Sequence, residues 1–256
     1  MPELPEAETI ARTLAPHSAG RRVVNLEILS RRATRGQRLP VAGRTIRAVR
    51  RHGKAVGFEL DRGFLLVRLG MTGRLLWNGQ RGPYTRAILA LDSGEILFDD
   101  VRQFGSLRWS DRPPATPAPD PLEVGDEELR AMLKRRQGRI KPLLLNQAFL
   151  AGIGNIYADE ILHRAGIHPF AVAARLSENG TRRLHAAMVE VLDEAIACGG
   201  STISDFVDAN GRPGHFQRRH RVYGRAGEPC LACGTPIRRI VVAQRGTYYC
   251  PRCQKS

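Results

Sequence analysis

Long apolar runs are missing from this 256-residue chain. No stretch approaches eighteen consecutive apolar residues, which excludes a membrane-spanning helix. The opening Met1-Pro-Glu-Leu-Pro-Glu6 has neither the basic start nor the apolar run of a secretory leader, so a cytoplasmic location is expected. No Ser-His-Asp pattern, P-loop or dinucleotide fingerprint is present, and the seven histidines are scattered without ligand spacing. No coiled-coil seam is legible, so a monomer without an obligate protein partner is expected. Acidic residues are few, 25 against 40 basic ones, which leaves a net charge of +15. Lysine is rarer still: Lys54, Lys134, Lys141 and Lys255 are the only four, and the other basic residues are arginines. An amine can form a Schiff base or shed a proton when buried, whereas a guanidinium does neither. Cysteine is also scarce, and four of the five cysteines fall between 230 and 253.

The positive charge is not confined to a tail. Residues 1–112 carry 20 basic and 11 acidic residues, net +9, and residues 113–256 carry 20 and 14, net +6. A field of this sign and spread fits a polyanionic partner, nucleic acid first, held in a cleft between two lobes. A solvated basic surface or a ribosome-associated scaffold is the ordinary alternative.

The chain divides at Pro113–Pro121, where five prolines in nine positions predict a stiff, extended linker. Before it, short alternating or apolar runs predict strands at Val23–Leu29, Thr45–Val49, Val56–Leu60, Phe64–Leu69, Ala87–Leu91, Glu95–Phe98 and Ser106–Trp109. Their spacing points to a β-sandwich or barrel. A helix over Glu6–Leu14 precedes them, with Ala7, Ile10, Ala11 and Leu14 on one face. After the linker the periodicity is helical at Asp126–Arg136, Pro142–Asn146, Ile156–Ala165 and Thr181–Ala197. Gly152-Ile-Gly154 before Asn155 reads either as a phosphate-binding turn at a helix start or as a turn with no ligand. Overall the fold is expected to be α+β and two-lobed. Its parts are a sandwich over 1–112, the linker 113–121, a helical domain over 122–222 and a metal ribbon over 223–256.

That ribbon rests on Cys230-Leu-Ala-Cys233 and Cys250-Pro-Arg-Cys253, a C-x2-C-x16-C-x2-C pattern. Two such pairs match tetrahedral Zn²⁺, with disulfides the weaker alternative in a cytosolic chain. With four thiolates and no open position, one structural zinc ion is expected. Cys198, near the end of the last helix, reads as core packing.

At the N-terminus, removal of Met1 would leave Pro2 with a secondary amine of pKa near about 8, well below lysine at about 10.4. A partly neutral amine is a competent nucleophile toward a sugar carbon, and Glu3 beside it could shuttle the proton. A capped helix start explains the same residues without chemistry.

Several motifs stand in one order along the chain: Met1-Pro-Glu-Leu-Pro-Glu6, Arg51-His-Gly-Lys54, Leu69-Gly-Met-Thr-Gly73, Gly152-Ile-Gly-Asn-Ile-Tyr157 and Gln244-Arg-Gly-Thr247. Together they resemble the formamidopyrimidine-DNA glycosylase and endonuclease VIII superfamily over essentially the full length. Gly199–Asp205, Asn210–Phe216 and Val222–Cys230 are similar to the formamidopyrimidine branch. The resemblance implies a bifunctional glycosylase and abasic-site lyase acting on duplex DNA that contains 8-oxoguanine or formamidopyrimidines. It implies that Pro2 attacks C1′, Glu3 handles the proton, Glu6 supports them, and Lys54 and Arg245 assist elimination and grip phosphate. It also implies that Met71, Arg102 and Phe104 fill the vacated stack, with a helix-two-turn-helix in the helical domain. Asn155, Lys141 and Tyr84 are then phosphate contacts, alongside the Lys134-Arg-Arg136 and Arg139 cluster. The segment Ser201–Arg219 matches the loop that closes over the extruded base.

Two departures stand out. Gln103 takes a position where the family commonly has a basic residue, and Tyr84 replaces a histidine. An endonuclease VIII-like enzyme for oxidised pyrimidines, a non-catalytic zinc-ribbon DNA-binding protein and an RNA-binding scaffold are the competing readings.

Overall fold

The computed structural model describes residues 2–114 and 118–255. Met1, Ser256 and the middle of the proline-rich stretch, 115–117, lie outside the described residues, so the linker expectation is only partly covered. The chain forms two compact units, Met1–Thr116 with Ile196–Gln217 and Pro117–Ala195 with Arg218–Ser256. Among the described residues no helix is long and apolar enough to cross a membrane.

The first unit opens with helix α1, Leu4–Ser18. Pro5 suits its first turn, where the missing N–H costs nothing. Its apolar stripe, Leu4, Ala7, Ile10, Ala11 and Leu14, is buried, and the helix packs on β2 (Ile46–His52) and β3 (Ala55–Leu60). The helix continues four residues past the predicted end and accommodates Pro16 in its last turn. The other strands are β1 (Val23–Ile28), β4 (Phe64–Arg68), β5 (Gly73–Trp77), β6 (Thr85–Leu91), β7 (Glu95–Asp100) and β8 (Ser106–Ser110). A short helical turn, α2 (Arg31–Thr34), follows β1.

Two antiparallel sheets result, in the orders β1-β6-β7-β5 and β2-β3-β4-β8. Their inner faces meet over Leu26, Phe58, Leu65, Val67, Leu89 and Phe98, the sandwich core that the alternation predicted. Strand β5 was not predicted. Three consecutive residues, Leu75-Leu-Trp77, break the alternation, and the strand begins on a glycine.

The second unit holds α3 (Asp126–Lys134), α4 (Ile140–Leu145), α5 (Asn155–Ala165) and most of α6 (Glu178–Ala197). It ends in a two-stranded ribbon, β9 (Arg238–Val242) and β10 (Arg245–Tyr249). Of the linker, Ala118 is buried and the Pro119 carbonyl accepts the Ala151 N–H, so this end is built into the second unit. The segment after α6 returns to the first unit, where Phe206 and Ala209 join the sandwich core. Cys198 is half-buried.

Phe58 is 1% exposed at the centre of this core. Phe58→Ala is expected to cost about 3–5 kcal/mol, read from chemical denaturation. A loss below about 1 kcal/mol would mean that the sheets do not meet there.

Candidate nucleic-acid site and metal centre

The N-terminal turn is organised by two buried carboxylates, Glu3 at 2% and Glu6 at 1% exposure. Glu3 caps α1 in extended conformation, and Glu3 and Glu6 form a reciprocal capping box. One Glu6 oxygen accepts the Glu3 N–H at 2.8 Å, and the other accepts the Ser201 N–H at 2.7 Å. A residue 195 positions away is thereby fixed to the first helical turn. Gly200 is required there: its φ is +78°, and a Cβ would lie 2.8 Å from Glu6 Oε1. Pro2, immediately before this box, is buried. Lys54 is half-buried in the two-residue turn between β2 and β3. That hairpin is tied to α1 by Arg51, whose Nε donates to Glu8 Oε2 at 2.9 Å.

A second cluster lies between sheet ends. Asp100, 1% exposed, accepts the Gly105 N–H at 2.7 Å and the Thr72 hydroxyl at 2.5 Å. Thr72 Oγ1 in turn accepts the Arg102 N–H at 3.0 Å. One carboxylate therefore sets two loops side by side and presents Met71, Arg102 and Phe104 together. Arg102 Nη1 is 3.3 Å from Met71 Sδ, and its guanidinium lies 4.6 Å from the Phe104 ring centre. Phe104 is 54% exposed, so it lies outside the sandwich core. Gln103 adopts a positive φ of 54°, and its Oε1 accepts the Ser30 hydroxyl at 2.8 Å. Tyr84 is exposed on the loop before β6, beside Arg86.

In the second unit, Gly154 rather than Asn155 occupies the N-cap of α5, and Asn155 is the first helical residue. The turn before it is stitched by Gln147, which donates to the Leu145 and Ile153 carbonyls and accepts the Gly152 N–H. Asn155 Nδ2 donates to the Gly246 carbonyl at 2.9 Å, so the turn and the ribbon hold each other. Arg245 is exposed at the start of β10, just past a two-residue turn in which Ala243 and Gln244 have φ of 48° and 59°. Such a turn usually takes Asn-Gly, and its non-glycine residues store backbone strain at the tip.

The ribbon's tip is anchored from below by Lys141. Its ammonium is fully buried and donates to Asp159 Oδ1 and Thr247 Oγ1, each at 2.7 Å. The other Asp159 oxygen accepts the Tyr248 N–H at 2.9 Å. Burial pushes the Asp159 carboxyl up to about 7, against the pull of Lys141. Glu160, the next residue, accepts the N–H groups of Arg221, Val222 and Tyr223 and so seats the segment leading into the ribbon.

The four cysteine sulfurs lie within 4.8 Å of one another. Cys230 and Cys253 are 3.8 Å apart, and Cys233 and Cys250 are 3.5 Å apart. Zn–S bonds of about 2.3 Å in a tetrahedron require sulfurs about 3.8 Å apart, so the set fits one structural zinc ion. Bound there, zinc would cross-link the two knuckles of a ribbon whose apolar cluster is small: Val222, Ile237, Tyr248 and the cysteines.

Sequence models of known families cover most of the chain. The formamidopyrimidine-DNA glycosylase N-terminal domain matches residues 1–107, its H2TH domain matches 117–207, and the zinc finger found in FPG and IleRS matches 227–255. Formamidopyrimidine-DNA glycosylase from Solibacter usitatus (strain Ellin6076) is 51% identical over all of both chains, and that from Geobacillus kaustophilus (strain HTA426) is 42% identical over the same coverage. The chain belongs to the formamidopyrimidine-DNA glycosylase family. Among solved structures, the MutM (Fpg) protein from Thermus thermophilus matches with a TM-score of 0.91 at 42% identity, over 99% of this chain and 98% of that one. Lactococcus lactis Fpg with abasic-site DNA matches with a TM-score of 0.91 at 33% identity, over 99% and 100%.

The Lys141 ammonium is buried beneath the ribbon, on Asp159, Thr247 and the Gly246 carbonyl, instead of lying at the surface. Lys134, in contrast, is exposed, and its ammonium donates to the Ala174 and Leu176 carbonyls. Arg136 and Arg139 lie over Phe149 and Phe170, at 6.0 Å and 4.2 Å from the ring centres. The segment expected as a closing loop is anchored rather than loose. Thr202 Oγ1 bridges the Phe206 carbonyl and the Gly214 N–H, and Ala209 bonds to Thr13 and Trp77. Between these anchors it exposes two short stretches, Ile203-Ser204 and Asn210–Pro213. Asp100, Gln147, Asp159 and Glu160 were not foreseen. Their one signal is acidity or polarity close to the motif segments in an otherwise basic chain.

His220 is buried beside Tyr223, and desolvation pushes its pKa down to about 4. The unfolded ring titrates near about 6.5. Between these values the unfolded chain takes up a proton that the folded one refuses, so stability falls as pH falls, by at most about 1.4 kcal/mol per unit for this group. Denaturation at pH 6.5 and pH 5 should show a shallower decline for His220→Gln than for wild type. Equal declines would contradict a buried, neutral His220.

Proposed function

We propose that this chain is a bifunctional DNA glycosylase and abasic-site lyase of base-excision repair, removing 8-oxoguanine and formamidopyrimidines from duplex DNA. Pro2, once Met1 is removed, is the nucleophile. Its secondary amine attacks C1′ of the damaged nucleotide, the bond from C1′ to the base breaks, and an iminium links the protein to the opened sugar. Glu3 delivers and recovers the proton at the sugar ring. Elimination then cuts the strand on both sides and leaves a one-nucleotide gap, with Lys54 and Arg245 on the phosphates. Arg245 acts as an electrostatic clamp, since a guanidinium does not give up its proton.

The observation that carries this reading is the buried capping box behind Pro2. It fixes the Glu3 and Glu6 carboxylates, both out of water, in the turn that directly follows Pro2, and proton transfer gains most from such fixed geometry. A relative supports the purine assignment: a mutant of Lactococcus lactis Fpg has been crystallised in complex with Fapy-dG-containing DNA. A stacked nucleotide is out of reach of any amine in a protein, so the target must be flipped out at a cost of a few kcal/mol. In this reading Met71, Arg102 and Phe104 occupy the void, with Arg102 toward the orphaned cytosine. Asn155, Tyr84 and the net charge of +15 serve the DNA backbone. The enzyme works as a monomer in the cytoplasm.

Borohydride trapping on 8-oxoguanine and formamidopyrimidine duplexes tests the assignment. A covalent complex is expected with the free N-terminal proline and is expected to fall at least about 100-fold when that nitrogen is acylated. A trap that survives acylation but is lost in Lys54→Met would place the nucleophile at Lys54 instead.

A further inference from the structure

The C-terminal turn of α5 is built onto the metal centre. Gly166 ends the helix in a left-handed conformation with φ of 68°. The Lys255 N–H then donates to the Gly166 carbonyl, the His168 N–H donates to the Lys255 carbonyl, and Gln254 Nε2 donates to the Ile167 carbonyl at 2.9 Å. Gln254 Oε1 also accepts the Cys250 N–H at 2.8 Å, so one side chain spans helix end and knuckle. This docking brings the ring of His163, in the last turn of α5, to the cysteine cluster. His163 Nε2 lies 3.6 Å from Cys230 Sγ, inside the range of a hydrogen bond to sulfur. Cys230 is only 3% exposed.

A metal-bound cysteine is a thiolate and has no proton to give. The imidazole must therefore be the donor, through Nε2–H, whichever charge state it holds. Four thiolates on Zn²⁺ carry a net charge of −2, and at Cys230 that charge sits away from water. Donors in the outer shell of a metal site disperse such charge and hold the ligands in place, and losing one typically costs about 10–100-fold in metal affinity.

We infer that His163 is an outer-shell member of the zinc centre, whose Nε2–H bonds the Cys230 thiolate and retards loss of the metal. Its role is to position and quieten one ligand. The inference rests on the zinc assignment of the four cysteines, so the zinc content of the purified wild-type protein is measured first. A wild-type protein without zinc would overturn that assignment as well.

The test compares wild type, His163→Phe and His163→Gln. Phenylalanine fills a similar volume with no donor, and glutamine restores an N–H near the Nε2 position. Zinc transfer to a chromogenic chelator is expected to be at least about 10-fold faster in His163→Phe and within about 3-fold of wild type in His163→Gln. In Co²⁺-loaded protein the thiolate-to-metal charge-transfer band should shift to lower energy in the Phe variant, because an unbonded thiolate gives up electron density more readily. The Gln variant should retain the wild-type band. Equal release rates and an unmoved band in the Phe variant would overturn the inference. Release in the Gln variant as fast as in the Phe variant would do so too, since the ring would then act by packing alone.

Discussion

A carboxylate buried at the first turn of a helix holds together the part of this molecule on which its chemistry depends. Glu6 accepts backbone N–H groups from Glu3, 3 positions before it, and from Ser201, 195 positions after it. Leaving either donor unsatisfied in that buried position costs about 1–3 kcal/mol, so the two segments are bound to the same oxygen pair by a shared penalty. The absence of a side chain at Gly200 lets the second segment come that close. The N-terminal turn is thus defined by a long-range contact, not by helix propensity.

The same device recurs at each functional loop. Asp100 positions the two loops carrying Met71, Arg102 and Phe104, Asp159 holds Lys141 and β10, and Glu160 holds the segment before the ribbon. In a chain of net charge +15, carboxylates withdrawn from the surface serve two ends. They satisfy buried donors inside, and they leave the outer field to the arginines. Surface arginines then steer and bind a polyanion in a salt-dependent way, while geometry is set by groups that salt does not reach. The zinc site follows the same logic with thiolates in place of carboxylates, organising a ribbon whose own apolar cluster is small.

Much of this was legible from the residues alone. Alternation in the strands, the stripe of α1 and the paired C-x2-C motifs are local patterns, and local patterns report local structure. The motifs that resemble the family were equally legible, because each is a short run whose chemistry depends on adjacent residues. What stayed hidden was long-range. Lys141 reads as a surface cation until Asp159, eighteen residues on, and Thr247, 106 residues on, close around it. The segment after α6 reads as a free loop until Phe206 and Ala209 enter the sandwich core. Asn155 reads as a residue at a helix start, and only the fold shows its amide turned to the Gly246 carbonyl of the ribbon. Charge and hydropathy along the chain specify what a residue prefers, and its partner is decided only when the fold closes.

Glu6→Gln probes the central claim most directly, because it keeps the size of the side chain and replaces one of two acceptors with a donor. Single-turnover base excision and amide exchange at Ser201 should be followed together in this variant, at saturating enzyme. Excision is expected to slow by about 10–100-fold while Ser201 exchange accelerates and DNA affinity stays within a few-fold of wild type. Unchanged excision with an unprotected Ser201 amide would contradict the account, since the N-terminal site would then stand without the carboxylate said to build it.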